Sequence, residues 1–209
     1  MAIRVGEALR TATARLAVAG QPASDAEELL SRLLGVGRGE LRRMAMAAET
    51  LSPEAAAALV VQLTRRETGE PVQYITGRTA FRHIDLAVDR RVLIPRPETE
   101  LLVDAVLEYL AHGEWSKRPP RVLDLGTGSG CIALAIAHEH ATAMLTATDA
   151  SEGALEVARA NAAALGLESR VSFAHGAWFD AVGADERYDV VVSNPPYISH
   201  GEAAELPPD

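Results

Sequence analysis

A chain of 209 residues, 48% of them hydrophobic and 23% charged, can bury one or two ordinary cores. Its formal charge of -9 at pH 7 argues against direct binding of long nucleic acid through phosphate contacts, and no apolar run approaches the roughly 18 residues of a membrane span. The single cysteine, Cys131, rules out an internal disulfide or a cysteine-based zinc cluster, so packing is its expected role and no metal site is expected.

The N-terminus MAIRVGEALRTATARLAVAG carries polar residues where a signal peptide needs its apolar centre, and a cytoplasmic protein is expected. Residues 1–70 read as a small all-α domain. Val5, Ala8, Leu9, Ala12 and Leu16, then Leu29, Leu30, Leu33 and Leu34, recur at helical spacing. Ser24-Asp25-Ala26-Glu27 fits a capping box, Gly35 can stop that helix, and Ser52-Pro53 places a cap and a first-turn proline before EAAAALVVQLTRRE. From Gly69-Glu70-Pro71 the pattern shifts to short extended pieces, and Ile84, Leu86 and Val88 alternate in AFRHIDLAVD, so a hairpin or linker is expected over 71–95. Arg82, Arg90 and Arg91 form the clearest basic patch, but acids punctuate it and it reads as a solvated face.

A domain over 96–209 follows. VLIPRPETELLVDAVLEYL supplies a helix start, with Pro97 near its first position, Glu98 and Glu100 in its first turn, and Leu101, Leu102, Ala105 and Tyr109 on one face. Strand and helix signals then alternate: RVLDLG, a helix from about Gly130 to His138, AMLTATDA, a helix through EGALEVARANAAALG, RVSFAHG and YDVVVSNPPY. These strands are near-continuous apolar runs, as expected when helices cover both faces of a mainly parallel sheet. The fold class is α/β, doubly wound and Rossmann-like.

In VLDLGTGSGCIALAIA a strand, a glycine turn and a helix follow one another, which makes the glycines informative. Gly126, Gly128 and Gly130 allow a tight turn and a close approach of backbone to ligand, and the helix N-terminus presents free N–H groups to an anionic group. Asp149 ends the next strand about twenty residues on, the spacing at which a carboxylate can accept both hydroxyls of a ribose. The dinucleotide pattern fails at Cys131 when read from Gly126 and is satisfied by Ala133 when read from Gly128, so spacing alone leaves a dinucleotide and S-adenosylmethionine both open. For the second, Asp124 is well placed to meet the amino group.

The stretch Asn194-Pro195-Pro196-Tyr197 falls at the C-terminal end of the fourth strand, where ligands bind in open α/β sheets. A planar NH2 group needs two acceptors. The Asn194 side-chain oxygen can be one and a backbone carbonyl held by the stiff Pro195-Pro196 pair the other, with the Tyr197 ring stacked on the plane. Such a site grips an amide or an exocyclic amine, which a nicotinamide-dependent oxidoreductase has no use for.

At these residues the sequence resembles S-adenosylmethionine-dependent methyltransferases with an N/D-P-P-Y motif. GEPVQYITG (69–77), VLIPRPETELLV (92–103), LDLGTGSGCIALA (123–135) and SNPPYIS (193–199), behind a helical domain, are similar to the protein-(glutamine-N(5)) methyltransferases of the HemK/PrmC type. The resemblance implies methylation of the glutamine in the Gly-Gly-Gln loop of peptide chain release factors, by a cytoplasmic enzyme expected to be a monomer, with S-adenosylhomocysteine as product. It implies Asp124, Gly126, Thr127, Gly128, Ser129, Gly130, Asp149, Trp178 and Asn194 as cofactor-binding residues. Asn194, Pro195, Pro196 and Tyr197 would hold the glutamine amide, with Asn194, Pro195 and Tyr197 carrying the catalysis. Without the resemblance, a buried core role for Trp178 is as good a reading. Ala177 and His83 depart from the family pattern, and Arg96 to Glu100 receive no chemical role. The family's sheet also continues with further strands, which this chain is expected to lack. The rival readings are a ribosomal-protein glutamine or a nucleic-acid amine as substrate, or a non-catalytic binding module.

Overall fold

The computed structural model describes residues 3–113, 115 and 117–195. These fall into two units, the first ending at Gly77 and the second starting at Arg78.

In the first unit the helical spacing becomes α1 (Val5–Val18), α2 (Ser24–Leu34), α3 (Arg38–Met46), α4 (Pro53–Glu67) and α5 (Val72–Thr76). Val5, Ala12 and Leu16 of α1 share a core with Leu29 and Leu30 of α2 and Leu63 of α4, each leucine worth roughly 1.5–3 kcal/mol of apolar burial. Ser52 caps α4 as expected, its hydroxyl accepting from the Ala55 amide at 3.1 Å, and Gly35 ends α2 in a left-handed conformation. Two expectations are corrected. The capping box at Ser24 does not form: α2 begins at Ser24 itself, with Ala23 before it and no side-chain cap. Its acids pair elsewhere, Asp25 with Arg66 at 2.7 Å and Glu27 with Arg42 at 3.2 Å. The helical unit also runs past residue 70, because Val72–Thr76 coil into one more turn whose Ile75 is buried in the same core.

In the second unit, β1 (Arg78–Phe81) and β2 (Ile84–Ala87) form an antiparallel hairpin with Phe81 opposite Ile84. The hairpin is not a loose linker. Arg82, in its two-residue turn, has a φ of 48°, and its guanidinium bonds to Glu139 at 2.6 and 2.9 Å and to Asp104 at 2.7 Å. Arg82 therefore leaves the solvated face assigned to it: three acidic or carbonyl partners on two helices draw it inward. A one-turn 3-10 helix (Pro97–Thr99) leads into α6 (Glu100–His112). The face of α6 that packs is Val103, Val106 and Leu110, while Leu101 is 69% exposed and Tyr109 also lies outside. In LLVDAVLEYL both helical phases are apolar, so spacing alone could not choose between them.

The sheet contains β3 (Arg121–Leu125), β4 (Met144–Asp149), β5 (Val171–His175) and β6 (Val190–Ser193), in the order β5-β4-β3-β6 and all parallel. Between them lie α7 (Cys131–Glu139) and α8 (Glu152–Leu165). The chain runs outward from β3 to β5, then returns to β3's other side for β6. The strand order thus reverses at β3, the switch point of a doubly wound sheet. Near-continuous burial holds for central β3, whereas on β6 Val191 is 50% exposed.

Candidate functional site

The register of the sheet builds the site. Leu125 at the end of β3 pairs with Thr148 of β4 on one side and Ser193 of β6 on the other. Gly126, Asp149 and Asn194, the residues that follow these three, therefore leave the sheet side by side, on strands about 4.8 Å apart. Ser193 reinforces the alignment by donating its hydroxyl to the Leu125 carbonyl at 2.8 Å.

The turn after β3 is fastened to β4. Gly126 and Thr127 both donate their amides to the Thr148 carbonyl, at 2.9 and 2.8 Å. Gly128 donates to Asp149 Oδ2 at 2.9 Å, while Ser151 donates to Oδ1 at 2.9 Å. Gly126, Gly128 and Gly130 have φ values of 73°, 55° and 84°, a region that costs other residues about 1–2 kcal/mol. At Gly130 space adds to this: a Cβ there would stand 2.8 Å from Leu134 Cδ1 and 3.3 Å from the Ala158 methyl group, so the Leu134 side chain would have to shift.

Beneath the loop lies a buried polar cluster. Asp124 is wholly buried, and Thr127 Oγ1 donates to its Oδ2 at 2.6 Å. Burial pushes its carboxyl up to about 6, against that hydrogen bond and with Asp149 adding to the rise. In this cluster Asp124 Oδ1 and Ser129 Oγ have no hydrogen-bond partner, a condition they share with Ser31 Oγ and Gln62 Oε1 of the helical unit. Cys131 opens α7, and burial pushes its thiol up to about 12, which fits the packing role and leaves little thiolate at neutral pH.

Asn161 of α8 is a residue the sequence reading missed. It is 2% exposed, and its Nδ2 donates to the Ser129 carbonyl at 2.9 Å and the Ala87 carbonyl at 3.0 Å, while its Oδ1 accepts from the Ala87 amide at 2.7 Å. One side chain thus ties β2 to the glycine loop. A signal existed: Asn161 sits three residues after Ala158 and seven after Ala154, on the apolar face of α8, where a polar residue needs a reason.

Asn194 and Pro195 follow β6, and Pro196 and Tyr197 lie outside the described residues. Asn194 Nδ2 donates to Thr99 Oγ1 at 3.0 Å, which brings the Arg96–Glu100 stretch to the site. Trp178 opens a one-turn helix after β5 with a φ of 51° and is 56% exposed, which excludes the core role. Its segment leaves β5 beside the acid, since Gly176 donates to the Asp149 carbonyl at 3.0 Å. Ala177 precedes it without a polar group, and His83 is exposed on the hairpin turn. Among the described residues no group of three or more His, Cys, Asp or Glu is placed to hold a metal ion, and no helix is long and apolar enough to cross a membrane.

Comparison with known proteins gives two family matches, the methyltransferase small domain over residues 99–206 and the PrmC N-terminal domain over residues 7–77. The chain is 42% identical to the release factor glutamine methyltransferase of Rhodospirillum rubrum, across all of this chain and 62% of that protein. It is also 42% identical to the release factor glutamine methyltransferase of Cereibacter sphaeroides, across 99% of this chain and 71% of that protein. It therefore spans only part of the length of each.

Proposed function

The chain belongs to the family of release factor glutamine methyltransferases, and from that premise we propose that it transfers a methyl group from S-adenosylmethionine to the side-chain amide nitrogen of the glutamine in the Gly-Gly-Gln loop of peptide chain release factors. One observation carries the reading: the register Thr148–Leu125–Ser193 sets an acid, a glycine loop and Asn194-Pro195 in a row at the switch point. A cofactor seated on the first two has its reactive end beside the third.

The residues fit that cofactor. When bound, S-adenosylmethionine supplies an electrophilic sulfonium methyl group. Asp124 Oδ1 and Ser129 Oγ, buried without partners, match its ammonium and carboxylate. Asp149 already accepts two backbone amides, but each carboxylate oxygen has two acceptor sites, leaving capacity for ribose hydroxyls. Trp178, exposed and held on the β5 side of Asp149, offers its ring to the adenine.

Asn194 and the carbonyl of Pro195 then take the two N–H bonds of the glutamine amide, with Pro196 and Tyr197 completing the grip. An amide nitrogen is a weak nucleophile because its lone pair is delocalised. Holding both protons aims what remains of that lone pair and stabilises the positive charge that develops, so positioning and electrostatic preorganisation supply the catalysis. The nitrogen becomes acidic as it gains the methyl group, and its proton leaves to water without a strong base.

The match of the N-terminal helices to the PrmC N-terminal domain supports a release factor over a ribosomal protein or nucleic acid, and the charge of -9 supports a protein partner too. We place the reaction in the cytoplasm, carried out by a monomer that binds neither long nucleic acid nor membrane. The test is transfer of labelled methyl from S-adenosylmethionine to a purified release factor, with and without its Gly-Gly-Gln glutamine. Label should require that glutamine, and Asn194→Ala should lower kcat by roughly 100-fold or more, the scale for loss of one transition-state hydrogen bond. Equal labelling of the glutamine-free factor would overturn the substrate assignment.

A further inference from the structure

The stretch Arg96-Pro97-Glu98-Thr99-Glu100 stands apart in the sequence without chemistry of its own, yet the fold sets Thr99 against Asn194. Thr99 is 5% exposed, and its hydroxyl oxygen accepts from Asn194 Nδ2 at 3.0 Å. We propose that Thr99 is a positioning residue for methyl transfer, fixing the rotation of the Asn194 amide so that its carbonyl end is the one turned to the substrate. This deepens the function proposed above and rests on it.

The physical need is plain from the chemistry of an asparagine. Its two ends are nearly equal in size and opposite in role, and rotation about χ2 is broad and roughly two-fold. A half turn would present a donor to a substrate NH2 that can only be held by acceptors. Some neighbour has to hold the amide in one rotation, and in this structure the Thr99 hydroxyl does so by accepting from Nδ2.

Thr99 is itself built on a firm base. Its amide donates to the Arg96 carbonyl at 3.0 Å, closing the one-turn helix Pro97–Thr99, and the β-branched side chain has little rotational freedom. The next residue is clamped twice by the hairpin turn: Glu100 Oε1 accepts from the Arg82 amide at 3.0 Å, and the Glu100 carbonyl accepts from Arg82 Nη1 at 3.2 Å. Arg82 is in turn held by Glu139 at 2.6 Å. A chain of contacts within the sheet unit thus runs from α7 through the hairpin turn to Thr99 and ends on Asn194. Placement of this kind, in which a functional side chain is locked by neighbours that do not touch substrate, is what precise transfer geometry requires.

The experiment compares Thr99→Val, which keeps the shape and removes the hydroxyl, with Thr99→Ser, which keeps the hydroxyl. The readouts are kcat for methyl transfer to release factor and, separately, cofactor affinity by calorimetry. The valine form should lose tenfold or more in kcat with cofactor affinity within twofold of wild type, and the serine form should recover to within threefold. Added to Asn194→Ala, Thr99→Val should cost nothing more, because its effect passes through that amide. Thr99→Ala, carrying the same expectation, replaces the valine form if that protein does not fold. Wild-type turnover in the folded hydroxyl-free form, beside an inactive Asn194→Ala, overturns the role of Thr99 while leaving the methyltransferase reading intact. Wild-type turnover in Asn194→Ala overturns the amide grip as well. An equal loss in the serine and valine forms assigns Thr99 to shape alone and likewise overturns the proposal.

Discussion

In the helical unit the charged side chains stay near the surface and pair there, Arg43 with Glu40 at 2.6 Å and Arg42 with Glu27 at 3.2 Å, around an interior in which Ser31 is the buried polar residue among those described. In the sheet unit Asp124, Thr127, Ser129, Thr148 and Asn161 are all buried, and hydrogen bonds connect each of them except Ser129's hydroxyl into the glycine loop and its strands. Removing a polar group from water is costly unless it is bonded, so a domain that needs only to fold avoids it. The sheet unit accepts that cost mostly beneath the loop, where these groups are tied together; buried oxygens without partners occur in both units, Asp124 Oδ1 and Ser129 Oγ here and Ser31 Oγ and Gln62 Oε1 among the helices. The contrast lies in how densely buried polar groups gather, and they gather around the loop on which the cofactor is proposed to sit.

The comparison breaks most visibly at Asn161. Asn161→Ala strands the Ala87 amide and carbonyl and the Ser129 carbonyl together, and each buried group left unbonded costs roughly 1–3 kcal/mol. A loss of about 3 kcal/mol in urea unfolding is expected, together with weaker cofactor binding as the loop loosens. A loss no larger than that of a surface substitution would show that the cluster does not hold the loop.

Asp124 gives the next effect, and its sign runs opposite to that of a paired carboxylate. The folded-state pKa is raised to about 6 from an ordinary value of 3.8. Well below the ordinary value of 3.8 the group is protonated in both states and carries no penalty. As pH climbs from about 4 to 6 the unfolded chain ionises first, so stability falls, and above 6 the penalty is complete. Asp124→Asn keeps an acceptor for Thr127 and should remove that slope, gaining on the order of 2 kcal/mol over wild type at pH 7 and much less at pH 4. With S-adenosylmethionine present the order should reverse, because the proposed ammonium contact is gone. Parallel melting curves for both proteins from pH 4 to 7 would rule out Asp124 as a buried charge.

What the sequence made legible follows the same division. Helical periodicity found the first unit because Val5, Ala8, Ala12 and Leu16 answer to one rule, and the glycine loop, Asp149 and Asn194 were readable because strand, turn and helix signals bracket them. The missed features are long-range. Asn161 bonds one residue 74 positions away and another 32 away, and Thr99 one 95 positions away, and no local pattern encodes such pairings. Arg82 looked like one cation in a solvated row until the turn brought it between α6 and α7. The packing face of α6 was hidden for another reason: apolar residues occupy both phases, and only the neighbouring elements choose.

Ser52 sharpens the comparison from the other side. Its hydroxyl caps α4, and Ser52→Ala should cost about 1 kcal/mol while cofactor affinity stays as it was. A change in affinity comparable to that of Asn161→Ala would mean that the division between the units does not separate folding from ligand binding.

The smallest effect is expected at Arg43, although its contact to Glu40, at 2.6 Å, is among the shortest in the molecule, with a second to Glu49 at 3.0 Å. Short distances are not the deciding quantity here. Both ends of each pair face solvent, where water screens the attraction and where holding long side chains in one geometry offsets most of what remains. The hydrogen bond from Arg43 holds Glu40 below its ordinary carboxylate range, so any contribution it makes is present at neutral pH and fades as acid protonates the glutamate. Arg43→Ala should therefore leave the urea midpoint unchanged within error at physiological salt, and wild type should lose nothing measurable in 1 M sodium chloride. A midpoint shift rivalling that of Asn161→Ala would mean that exposed pairs, and not the buried polar bonds under the loop, dominate the polar contribution to this fold.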